Sequence, residues 1–146
     1  MADAVTSQVI LNDKNLYVLH LTNISDGTGE SAITKIDVST LTAGYDAATC
    51  LGVDLLAVQW AIQGFTYISL LFDATTDDLA CIIPSGVGYL DYSYVPHNSG
   101  GNTVRSIGLF DPRSTGTTGD LKLTTTGAAS GSTYDLTIWC RKRSAY

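Results

Sequence analysis

The stretch Asp120-Leu121-Lys122-Leu123-Thr124-Thr125-Thr126, followed by Gly127-Ala128-Ala129-Ser130-Gly131 and then by Ser132-Thr133-Tyr134-Asp135-Leu136-Thr137-Ile138-Trp139-Cys140, decides the fold class. Both arms alternate apolar with polar side chains, the period-two signature of a strand buried on one face. The small, turn-forming residues between the arms predict a hairpin. In the second arm Tyr134, Leu136, Ile138 and Cys140 share one face, so Trp139 is expected on the other with Asp135, Thr137 and Arg141. An aromatic ring on an otherwise polar face is either covered by a neighbouring strand or loop, or it meets another chain.

The same rhythm runs through the rest of the sequence. Val5 to Leu11, Leu16 to Ile24 and Ala32 to Val38 read as consecutive strands, separated by Asn12-Asp13-Lys14-Asn15 and Ser25-Asp26-Gly27-Thr28-Gly29. In the third, Ala32, Thr34, Ile36 and Val38 fall on one face and Ile33, Lys35 and Asp37 on the other. Leu51 to Ile62 fits helical spacing as well as alternation. Strand is preferred, with Leu56, Val58, Trp60 and Ile62 on one face and Gln63-Gly64 as the turn of a central hairpin into Phe65 to Phe72. Leu79 to Ile83, Val87 to Tyr94 and Val104 to Phe110 read as shorter strands, linked by Pro84-Ser85-Gly86 and by 96–102. The expected fold is all-β: one domain over residues 1–146, an antiparallel β-sandwich of about eight to nine strands, jelly-roll-like or immunoglobulin-like.

Composition agrees. The chain is 45% hydrophobic and only 15% charged, which favours a folded core over disorder. Thr and Ser supply 32 residues and Glu only one, Glu30, so the surface is clothed in hydroxyls rather than in helix-forming charged residues. A net charge of −6 opposes binding to free nucleic acid. The one dense basic run, Arg141-Lys142-Arg143, reads as a solvated tail. There is no 18-residue apolar run, so no membrane partner is expected, and Met1 to Thr6 lacks a secretory pattern. Cys50, Cys81 and Cys140, outside any Cys-x-x-Cys spacing, are expected to be small buried thiols.

Catalytic and cofactor chemistry finds little support. His20, within Tyr17-Val18-Leu19-His20-Leu21, reads as a satisfied core or interface residue, and His97 as an exposed loop residue. Asp77-Asp78 reads as a turn, without the alternating ligands and closing Glu of a calcium loop. The loop 98–102 lacks the glycine spacing of a dinucleotide or Walker motif. No enzyme, cofactor or metal site is therefore expected. Tyr89, Tyr92 and Tyr94, with Asn98 and Asn102, would serve a sugar-stacking patch, but Tyr92 and Tyr94 share a face with Leu90 as core residues do. Leu16 to Leu21 is apolar on both faces, so Tyr17, Leu19, Leu21, Trp139 and Arg141 are the candidate protein interface.

The small size, the start without an evident leader, and above all Gly119-Asp120-Leu121-Lys122-Leu123-Thr124-Thr125 with Gly131-Ser132-Thr133-Tyr134-Asp135-Leu136-Thr137-Ile138 resemble small structural proteins of tailed bacteriophages. That resemblance implies a non-catalytic virion protein assembled in the host cytoplasm. It would decorate or cement the capsid through contacts with the major capsid protein, as a homo-oligomer such as a trimer. The alternative is a carbohydrate- or receptor-binding module of a tail or fibre. The resemblance transfers no site residues.

Overall fold

The computed structural model describes residues 2–93 and 108–145. Within them lie nine strands: β1 (Ala4–Asn12), β2 (Leu16–Asp26), β3 (Ile33–Ile36), β4 (Thr42–Ala43), β5 (Ala48–Thr49), β6 (Gly52–Phe72), β7 (Asp78–Asp91), β8 (Leu121–Thr126) and β9 (Ser130–Arg143). The fold is all-β and antiparallel, as the alternation requires. Seven strands form one sheet in the order β1-β2-β9-β6-β8-β3, with β7 along the other edge of β6, while β4 and β5 make a small ribbon. The sheet curls on itself into a sandwich-like half-barrel.

The curl arises where the sequence predicts turns. Leu51 to Ile62 is strand, not helix, but it does not turn back at Gln63-Gly64: β6 continues unbroken to Phe72. Its first half pairs with β9, down to Gln63 opposite Thr133, and its second half pairs with β8, from Tyr67 opposite Thr126. β8 and β9 therefore lie end to end along one edge of β6 and do not pair as a hairpin. β7 likewise runs through Pro84 to Gly86 as a single strand, with Gly86 opposite Ile62 and Pro84 opposite Tyr67, so the residues between Ile62 and Tyr67 face Ser85 alone. Two of the expected turns, 63–64 and 84–86, are corners of long bent strands, and the third, 127–131, links β8 to β9 end to end. Glycine permits either geometry because it adopts positive φ freely, as at Gly64 (+88°). Pairing partners far along the chain decide between them. Of Val104 to Phe110 only residues 108–110 are described, and there Leu109 makes a single bridge to Leu55.

Folding the sheet at these corners brings two inner faces together. Tyr17, Leu19, Leu21, Val58, Trp60, Leu136 and Ile138 come from one half and Ile36, Ile68, Leu70, Phe72, Ile83, Leu121 and Leu123 from the other, joined in one core. Trp60 fits because Gly88 lies opposite it; a Cβ at Gly88 would sit 2.4 Å from the indole ring. Register shifts refine the expected pattern: Leu56 falls at a bulge and is half-buried, whereas Val58, Trp60 and Ile62 point inward. Asp13 closes the β1–β2 turn as its Oδ1 accepts from the backbone N–H groups of Asn15 (2.9 Å) and Leu16 (2.6 Å).

Several buried charged groups are paired with one another or with buried polar side chains. Glu30 accepts from the Tyr134 hydroxyl (2.5 Å) and Asn23 Nδ2 (3.0 Å), and pairs with the Lys35 ammonium. The basic run is not a solvated tail. Lys142 is buried and its Nζ donates to Asn12 Oδ1, to the Asp13 carbonyl (2.7 Å) and to the Thr42 carbonyl (3.0 Å), while Arg141 and Arg143 both engage the buried Asp54. Cys50, Cys81 and Cys140 are free, buried thiols, and burial pushes the Cys81 thiol up to about 11.

Candidate interaction face

The outer side of the half-sheet formed by β1, β2, β9, the first half of β6 and the last part of β7 presents the candidate site. Register aligns its side chains in rows. Val18, Trp139, Ala57 and Asp91 form one row, and Gln8, His20, Thr137, Gln59 and Tyr89 form the next. The bulge between Leu55 and Ala57 is what turns Ala57 outward, beside Trp139. The small Ala57 side chain leaves the space above β6 open, and Trp139 meets Tyr89 across it edge-on, with ring centroids 6.2 Å apart and planes at 77°. Tyr89 keeps 55% of its surface exposed and Val87, two residues earlier on the same face, 86%. A depression of about 280 Å³ lies alongside, lined by Gln59, Trp60, Ala61, Val87, Asp135 and Thr137. His20 sits on this face, its Nε2 2.8 Å from Asp135 Oδ1, so the ring is satisfied on the surface side of the sheet.

The five interface candidates divide. Trp139 stands half-buried on the outer face, as the alternation of β9 predicts, and Arg141 lies on the same side at its end. Arg141 is committed to the chain itself, donating to Asp54 Oδ2 from Nε (3.1 Å) and Nη2 (2.8 Å). Tyr17, Leu19 and Leu21 offer no surface to a partner: they are the inward set of β2, paired with Cys140, Ile138 and Leu136 in the core. Both faces of Leu16 to Leu21 are apolar, and the sequence alone does not distinguish them. The outward set is Leu16, Val18 and His20, with Val18 flanked by Leu11 and Trp139. Sequence reasoning missed that Tyr89 joins Trp139, because β7 meets β9 only through β6.

No sugar patch of three tyrosines assembles among the described residues. Tyr89 faces outward and Tyr92 packs against the core; Tyr94, His97, Asn98 and Asn102 lie outside the described residues. Asp77 acts in a turn as expected, accepting from the backbone N–H of Ala74 (3.2 Å) and holding Lys122. Among the described residues no three His, Cys, Asp or Glu side chains converge as a metal site would require, and no helix is long and apolar enough to cross a membrane. No protein-family model and no curated protein matches the chain.

Proposed function

We propose that this chain is a non-catalytic structural protein of a phage virion, which decorates or stabilises the capsid by docking its outer face on the major capsid protein. The observation that carries this reading is the pairing of exposed Tyr89 with half-buried Trp139, set among threonine and glutamine side chains on the outer face of the sheet. Aromatic anchors on a rigid scaffold bury large area at small conformational cost. The resemblance of 119–125 and 131–138 to small structural proteins of tailed phages supplies the partner class. Assembly as a homo-oligomer in the host cytoplasm would multiply modest single contacts into lasting attachment.

The test is co-sedimentation of the purified chain with expanded heads of its phage. Trp139→Ala is expected to weaken attachment at least about thirtyfold, the equivalent of about 2 kcal/mol, while circular dichroism stays unchanged. Heads that leave the unsubstituted chain in solution, or bind the variant equally well, overturn the reading. The depression beside Tyr89 favours a second reading, a carbohydrate- or receptor-binding module of a tail or fibre. Glycan binding that Tyr89→Ala abolishes would put that reading first.

A further inference from the structure

None of the nine residues of β1 is buried, yet the strand is held at both ends. Ahead of it, the Asp3 carboxylate accepts from Asn23 Nδ2 (3.1 Å), Ser25 Oγ (3.0 Å) and the backbone N–H of Asp26 (3.1 Å). At its far end Asn12 accepts from the buried Lys142 ammonium. Between these anchors one edge of β1 pairs with β2, from Ala4 opposite Ile24 to Asn12 opposite Tyr17, and no described strand pairs with the other. An open edge presents a row of N–H and C=O groups to any strand that fits, and proteins commonly blunt such edges with lysine, proline or short length. β1 carries neither lysine nor proline and no charge at all, and its single bulge lies near its end, between Val9 and Leu11.

The sequence of this edge is self-complementary. Residues 4–10 read Ala-Val-Thr-Ser-Gln-Val-Ile, and their hydropathy is mirrored about Ser7. Antiparallel pairing with a second copy, centred on Ser7, would set Val5 opposite Val9, Thr6 opposite Gln8 and Ala4 opposite Ile10. Val5 and Val9 then meet on one face, while on the other a hydroxyl meets an amide between flanking Ala4–Ile10 pairs, which is how cross-strand pairs stabilise a sheet. The remaining open edges match β1 poorly. β3 has four residues and a register shift, and β7 is bent at Pro84, which has no N–H to give. Two copies of a chain with net charge −6 repel one another, and β1 brings no like charges together.

We propose that two copies of this chain join edge to edge by antiparallel pairing of their β1 strands about Ser7, a closed two-fold contact that continues the curled sheet across both molecules. This deepens the assembled-unit part of the reading above and is scored separately from capsid docking. Sedimentation equilibrium of the full chain is expected to give twice the chain mass of 15.5 kDa. V5K/V9K sets ammonium against ammonium in both cross-strand pairs, so the mass should halve with the circular dichroism spectrum unchanged, because both positions are exposed. V5K/V9E sets opposite charges across the same pairs and should restore the dimer. In the unsubstituted chain, amide exchange over residues 4–10 should slow as concentration rises through the dimerisation range. A chain monomeric at every soluble concentration, a trimer, a V5K/V9K variant that still dimerises, or a V5K/V9E variant that does not, overturns the proposal. A dimer that ignores phage heads supports it and overturns the capsid reading alone.

Discussion

Glu30 is the single glutamate of the chain, and its carboxylate is buried against Lys35, Tyr134 and Asn23. Such a pair contributes little against an apolar replacement of both partners, but removing one leaves the other charge buried without compensation. Burial, and then the Glu30 carboxylate that accepts its proton in a hydrogen bond, hold the Tyr134 phenol well above its ordinary range, so the hydroxyl stays a donor. Glu30→Ala is therefore expected to cost about 3–5 kcal/mol in urea unfolding, and a double variant with Lys35→Met should recover a good part of that loss. Equal losses in the single and double variants would show that Lys35 finds another partner. Trp139 illustrates the opposite case, a residue whose position follows from alternation alone; its contact with Tyr89 depends on the bulge at Leu56 and on the smallness of Ala57.

Long bent strands set the architecture, and Gly64 is where the longest of them turns. Its φ is +88°, and a Cβ there would lie 2.6 Å from Ser132 Oγ and 3.0 Å from Ser132 Cα, across the corner where β9 begins. Gly64→Val should lower stability in urea unfolding by at least about 1–3 kcal/mol, since left-handed strain adds to the collision. Gly86→Ala at the neighbouring corner, with open space around it, should cost only the conformational part, about 1–2 kcal/mol. Equal costs at the two sites would remove the argument from close approach. These corners also mark the limit of what alternation reveals. The inward set of β9 and the outward Trp139 were legible, because each depends on period two within one segment. The single face expected for Ala32, Thr34, Ile36 and Val38 does not form: a register shift sets Thr34 opposite Lys122 but Ile36 opposite Leu121, and Val38 is buried from the 3-10 turn that follows β3. Whether 63–64, 84–86 and 127–131 reverse the chain or bend it was not legible, since the same glycines serve both and the choice rests on distant pairings. For the same reason the apolar strand β2 did not declare that Tyr17, Leu19 and Leu21 face the core.

Across the molecule, carboxylates tied into turns shape the response to pH. Asp13 and Asp91 lie below their ordinary range through hydrogen bonds from Leu16, Asn15 and Ser93, Asp26 through its bonds from Thr28, and Asp73 through Lys122 and then Thr118. A depressed carboxylate contributes stability in full above its unfolded value of about 3.8, and that contribution is lost as pH falls through the lower folded value. Lys122, raised chiefly by Asp73, contributes in full below about 10.5 and loses that contribution as pH rises through its higher folded value. Asp120, raised by burial, works against the acid-side loss. The buried thiols of Cys81 and Cys140 are likewise raised from about 9, so the alkaline loss begins there. The urea midpoint should hold level between about 3.8 and 9 and fall on both sides, and Lys122→Met should soften both flanks, while a midpoint that rises below pH 4 would contradict this balance. The place of β9 has a further consequence, for the chain as it is made. β9 comes last of the nine strands in sequence and lies between β2 and β6, joining residues as far apart as His20 and Asp135. Synthesis releases the polypeptide at about 5–20 residues per second. The apolar sides of β2 and β6 lack the strand that joins them until residues 130–143 have been made, so closure of the sheet cannot precede them.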